Sequence, residues 1–150
     1  MKGRRQAGLD QFLTYRLHAL TKRSDRGIAD VYRHKPDISL PEARVIAAVG
    51  AFGPVSIMGL ARHTNPDQSQ ASRAAEALLR KGLLERSASD EDGRIVLIAL
   101  TVDGRGLYRK IMPIVRKWNE GWLVCLSDSE RQTVERLLDK VATHAAERDD

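Results

Sequence analysis

The stretch from Ser56 to Thr101 constrains this chain most, and its segment Asn65-Pro-Asp-Gln-Ser-Gln-Ala-Ser-Arg73 constrains it hardest. Asn65 suits a helix cap, Pro66 the first helical position, and Gln68 the third position of a capping box. At about 100° per residue, Ala71, Ala74, Ala75, Leu78 and Leu79 fall on one side of the helix that follows. Ser69, Arg73, Glu76 and Arg80 fall opposite. After Gly82 come two strand-like runs, Leu83–Ser87 and Arg94–Leu100, joined by the polar turn Ala88-Ser-Asp-Glu-Asp-Gly93.

The rest of the chain frames that segment. From Leu9 to about Arg33 the apolar positions Leu9, Leu13, Leu17, Leu20, Ile28 and Val31 cluster on one face of a long helix, with an irregularity expected near Gly27. His34-Lys-Pro36 ends it, and Ser39-Leu-Pro-Glu42 is a capping box that opens a helix to about Ala51. Gly53-Pro54 is a turn, and Ser56 caps a short helix from Ile57 to His63. In the second strand Ile95, Leu97 and Ala99 alternate with Val96, Ile98 and Leu100, so cover on both faces is expected near its end. Thr101 caps a helix through Leu107, Ile111, Ile114 and Val115, which Pro113 is expected to bend and which Trp118, Trp122 and Leu123 continue. Ser127-Asp-Ser-Glu130 opens a last helix carrying Val134, Leu137, Leu138 and Val141. The expected class is mainly α with a small β-hairpin wing (α+β), a winged helix-turn-helix between long N- and C-terminal helices, the first of which is one-sided enough to need a partner within the subunit or across a dimer interface. We read residues 1–150 as a single domain, with a lobe over 39–101 and flanking helices over 9–35 and 102–147.

Composition limits what such a chain does. A hydrophobic content of 42% with 30% charged residues describes a globular protein. No apolar run approaches the roughly 20 residues that cross a bilayer, and the basic start lacks the apolar core of a signal peptide. The one cysteine, Cys125, excludes an internal disulfide and fits a cytoplasmic location; its apolar run, Trp122–Leu126, predicts a buried, inert thiol. The net charge of +5 suits an anionic partner, but its distribution is uneven. Residues 1–35 carry nine Lys/Arg against three Asp/Glu, residues 36–100 seven against eight, and residues 101–150 nine against nine. The segment around Arg73 is therefore not basic overall, and any contact to phosphate rests on individual side chains.

A helix whose first turns carry Gln68, Ser69, Gln70, Ser72 and Arg73 is polar, short-chained and rich in hydrogen-bonding groups, which suits entry into a DNA major groove. Arg73 is the leading candidate, since a guanidinium takes guanine O6 and N7 together or grips a phosphate. Arg86 is a further phosphate candidate. For a small ligand, Arg16 lies at the edge of the first helix's apolar stripe, with Tyr15, His18 and Trp118 as weaker candidates. The four scattered histidines lack metal-ligand spacing, and neither a phosphate loop nor a nucleophile elbow nor paired catalytic carboxylates occur, so neither cofactor nor enzymatic activity is expected.

Several stretches, in this order and spacing, resemble the MarR family of bacterial transcriptional regulators. They are Leu40-Pro-Glu42; Gln68-Ser-Gln-Ala-Ser-Arg73; Leu78-Leu-Arg-Lys-Gly-Leu-Leu-Glu-Arg86; Asp92-Gly-Arg94; Leu100-Thr-Val-Asp-Gly104; and Leu126-Ser-Asp-Ser-Glu-Arg131, within a match over roughly residues 9–143. The resemblance implies a homodimer with interleaved terminal helices, so that 9–35 and 102–147 hold N- and C-terminal dimerisation helices. It implies recognition helices in major grooves and wings at minor grooves of double-stranded operator DNA. It also implies release by a small phenolic or aromatic carboxylate effector. Ser72-Arg73 matches the family's Ser-Arg pair, and Asp92 with Arg94 its wing motif, in which a carboxylate holds an arginine extended toward the narrow groove. Two other readings stay open: a winged helix that binds protein, permitted by the near-neutral 36–100 segment, and a thiol-sensing regulator.

Overall fold

The computed structural model describes residues 8–35, 37–64, 68–89 and 93–148. Two compact units divide within one helix, after Ile111. In the first unit, α1 (Leu13–Arg33) follows a 3-10 turn at Leu9–Gln11. The single helix expected from Leu9 is thus interrupted at Phe12, whose extended backbone (φ −70°, ψ 134°) separates turn from helix. No irregularity occurs at Gly27, where α1 is unbroken. One glycine costs a helix interior only about 1 kcal/mol, too little to break 21 residues of it.

Local capping rules hold well in the lobe. In α2 (Leu40–Phe52) the Ser39 amide donates to Glu42 Oε2 at 2.8 Å, and the Glu42 amide donates to Ser39 Oγ at 3.4 Å. Ala43, Val45, Ile46, Ala48 and Val49 are buried, making α2 the centre of this unit's core. In α3 (Ile57–Thr64) the Gly59 amide donates to Ser56 Oγ at 3.0 Å, as the capping position predicted. In α4 (Gln68–Arg80) the buried residues are Ala71, Ala74, Ala75 and Leu78, the small-residue back read from the sequence. Small side chains let α4 lie close against α2 and α3, and the polar face is left outward. Gly82 ends the turn with φ 69°, a conformation that favours glycine. The Gly82 and Leu83 amides donate to the Leu79 and Leu78 carbonyls at 3.0 Å each, a Schellman motif that redirects the chain into the hairpin.

The hairpin pairs β1 (Leu84–Ala88) antiparallel with β2 (Val96–Leu100), in the register Leu84↔Leu100, Arg86↔Ile98 and Ala88↔Val96. Its loop is closed by Ser89 N–H donating to the Ile95 carbonyl at 3.0 Å. Val55 adds a third, one-residue bridge, exchanging backbone bonds with Ile98 at 3.1 and 2.8 Å. Leu84, Ile98 and Leu100 are buried, whereas Leu97 and Ala99 are half-buried and Ile95 is exposed. The expectation of a strand covered on both faces is therefore met on one face only, because two strands pack a single layer against the helices.

Helix α5 (Val102–Leu123) starts where Gly104 N–H donates to Thr101 Oγ1 at 3.0 Å, and it is continuous through Pro113. Thr101 Oγ1 in turn donates to the Gly82 carbonyl at 2.8 Å, joining the start of α5 to the end of α4. The second unit holds the end of α5 and α6 (Asp128–Ala146), which opens on a capping box between Ser127 and Glu130. Trp118 and Trp122 meet here with ring centroids 6.4 Å apart. The predicted α6 stripe exists, but no residue of α6 is buried within the protomer.

Candidate nucleic-acid interface

The outward face of α4 is built by its register. With Ala71, Ala74, Ala75 and Leu78 against the lobe, Gln68, Ser69, Gln70 and Arg73 are exposed at the helix start, and Ser72 is half-buried beside them. Asn65 and Pro66, the expected cap and first residue, lie outside the described residues, as does the whole turn 65–67. One turn of α4 beyond Arg73 stands Glu76, and Arg80 follows it.

Arg86 occupies a different position from the one expected of a free phosphate ligand. A period of two along β1 sets it on the same face as buried Leu84, turned toward α4, where its Nη2 lies 2.5 Å from Glu76 Oε1. Arg94 is exposed at the base of the hairpin loop, while Asp92, its expected holder, lies outside the described residues. Sequence reading also passed over the end of α3, where Arg62 and His63 are exposed and the His63 ring stacks on Phe52 at 4.1 Å between centroids. The basic dipeptide at a helix terminus was the available signal.

An ion pair between exposed Lys81 and buried Glu42 fixes the other end of α4. Lys81 Nζ donates to Glu42 Oε1 at 2.8 Å and to the Asp37 carbonyl at 3.0 Å, tying the end of α4 to the start of α2. Burial pushes the Glu42 carboxyl up, but the Lys81 and Ser39 hydrogen bonds and the Lys81 charge together hold it below the usual carboxylate range.

The ligand candidates divide. Tyr15 and Arg16 line an open groove of about 330 Å³ with Asp10, Ala19, Leu20 and Arg23. Arg16 is engaged there, its Nε donating to the Asp10 carbonyl at 3.0 Å. His18 is exposed outside that groove, and Trp118 belongs to the second unit. A second cleft, of about 410 Å³, lies between the end of α2 and the first turns of α5, where Val49, Pro54 and Leu100 meet Arg105, Tyr108 and Arg109. Its polar residues recur at helical spacing along α5, a signal that sequence reading left unused. Cys125 is exposed, not buried. The apolar run around it forms the α5–α6 turn, where Val124 is exposed too, so it contributes nothing to a core within the protomer.

Residues 37–95, spanning the start of α2 to the hairpin, match the sequence model of the MarR family. Over that stretch the chain is similar to the MarR family. A relative in the same line is the HTH-type transcriptional regulator BilQ of Clostridium symbiosum, 28% identical over 107 residues that cover 71% of this chain and 74% of BilQ. Among solved structures, a MarR family regulator from Silicibacter pomeroyi superposes with a TM-score of 0.82 at 24% identity, over 93% of each chain. BpsR of Bordetella bronchiseptica superposes with a TM-score of 0.74 at 23% identity, over 91% of this chain and 97% of BpsR. At those identities the two structures establish the shared winged-helix fold. No helix among the described residues is long and apolar enough to cross a membrane.

Proposed function

We propose that this chain is a transcriptional regulator of the MarR type, a homodimeric repressor that binds a pseudo-palindromic operator and is released by a small aromatic or phenolic effector, aromatic carboxylates included. The observation that carries the DNA reading is the outward face of α4, with Gln68, Ser69, Gln70 and Arg73 exposed in one lobe with a hairpin wing. Arg73 reads or grips from the major groove, and Arg94 reaches the minor groove beside it, where a narrow groove deepens the negative potential. The effector reading draws on the cleft lined by Arg105, Tyr108 and Arg109, which offers cations and an aromatic ring above an apolar floor. It also draws on BpsR, whose DNA binding is regulated by 6-hydroxynicotinic acid. Effector binding would favour a spacing of the two recognition helices that no longer fits successive major grooves.

Titration of the purified protein with the duplex upstream of its own coding sequence, against a random duplex, tests this. Binding to the upstream duplex is expected to be at least about a thousandfold tighter. Arg73→Ala should weaken that binding by about 1–3 kcal/mol, and Arg94→Ala should flatten the salt slope by about one unit. Absence of any salt-dependent preference for the upstream duplex removes the reading.

A further inference from the structure

The ion pair between Glu76 and Arg86 spans the gap between the helix and the wing. Glu76 stands on the outward face of α4, three residues after Arg73 and four before Arg80, and Arg86 reaches it from β1 at 2.5 Å. Both side chains remain accessible, with 46% and 56% of their surface exposed, so the pair sits at the surface and not in the core. A lobe that inserts α4 in a major groove and its hairpin in the adjacent minor groove straddles the phosphodiester strand dividing the two grooves. Side chains bridging helix and wing therefore face that strand.

We propose that Glu76 is a positioning residue that holds Arg86 back from this phosphate strand and so limits sequence-independent DNA binding. The proposal rests on the DNA-binding reading above. Three physical points support it. A carboxylate on a DNA-facing surface repels phosphate, and its direct partner here is Arg86. The register of β1 turns Arg86 toward α4, so its guanidinium must leave Glu76 to reach a phosphate oxygen. An exposed pair is weak, worth up to about 1 kcal/mol, so it restrains Arg86 without locking it.

The test uses the full chain and a random-sequence duplex, with fluorescence anisotropy between 50 and 200 mM salt. Glu76→Gln is expected to tighten binding about two- to fivefold at low salt and to steepen the salt slope by about one unit. In a chain that also carries Arg86→Ala, the same change should leave the slope as it was. An unchanged slope in Glu76→Gln overturns the proposal, and so does an equal change in both backgrounds, because Glu76 would then act through its own charge alone. Thermal melting of each variant by circular dichroism verifies that the fold is intact. If the unsubstituted protein binds no duplex at all, the DNA reading itself falls; if it binds but the slope does not move, only this inference falls.

Discussion

Gly104 stands in the first turn of α5 where a Cβ would come within 2.0 Å of the Leu83 carbonyl oxygen and 3.1 Å of its carbon. Backbone cannot yield as a side-chain tip can, so the helix start would have to move away from the Gly82 carbonyl that Thr101 holds. Two residues on, Gly106 has nothing within 4 Å of its own Cβ position. Both lie in the same helix, and alanine in place of glycine favours a helix interior by about 1 kcal/mol. Gly106→Ala is therefore expected to raise stability by roughly 0.5–1 kcal/mol. Gly104→Ala is expected to lower it by about 1–3 kcal/mol despite the same helical gain, and urea denaturation of the two variants checks the opposite signs. At this scale the sequence was informative in one direction only. Ser39, Ser56, Thr101 and Ser127 were legible as caps because a cap and its amide lie within three residues of each other. Gly104 was legible only as part of a motif, because the carbonyl that requires it lies 21 residues earlier in the chain.

Between elements, the polar contact that ties α4 to α2 is Glu42 with Lys81, whose partners lie 39 residues apart. Glu42 is buried, and its carboxyl is held below the usual range by the hydrogen bonds and charge that outweigh its burial. A carboxyl whose pKa is lower folded than unfolded stabilises the fold above its unfolded pKa and loses that contribution as pH falls through the folded value. The loss is thus expected below about pH 4.5, the ordinary glutamate value, and not near neutrality. Glu130 is lowered as well, by hydrogen bonds from the Ser127 amide and hydroxyl, so acid sensitivity alone does not isolate Glu42. Urea midpoints should fall between pH 5 and pH 3, and Glu42→Gln should make that fall shallower; an unaltered pH profile would show that the pair contributes nothing to linkage. The same scale explains where sequence reading stopped. The face of α4 was correct because period alone defines it, whereas the partner of Arg86 needed the hairpin register and the phase of α4 together. Likewise the apolar alternation of β2 looked two-sided, since nothing in its own residues says that the sheet has one buried layer.

At the scale of the molecule, the terminal helices are over-supplied with apolar surface for a single chain. In α6, Val134, Leu137, Leu138 and Val141 are 38–49% exposed, and in α1 Leu13 and Leu20 are 58% and 50% exposed. Periodicity announced both stripes, but an amphipathic helix reads identically whether its partner is its own chain or a second copy. Only burial separates the two cases: no residue of α6 is buried, and Leu13 and Leu20 of α1 are exposed although Ile28 further along that stripe is covered. Burying four half-exposed aliphatic side chains on one helix, at up to about 1.5–3 kcal/mol for each full burial, would favour association of identical chains. A charge in that stripe should abolish it: Leu137→Glu is expected to convert the protein from dimer to monomer by sedimentation equilibrium. In the proposed DNA reading each lobe offers one α4 to a major groove, so the monomer would meet only one half-site. Its affinity for the upstream duplex should then collapse toward the non-specific range of about 10⁻⁴–10⁻⁶ M. The lobe's own fold should survive, since α2, α3, α4 and the hairpin build their core without α6. A Leu137→Glu chain that stays dimeric assigns the interface elsewhere, and a monomer that keeps full affinity separates DNA binding from dimerisation altogether.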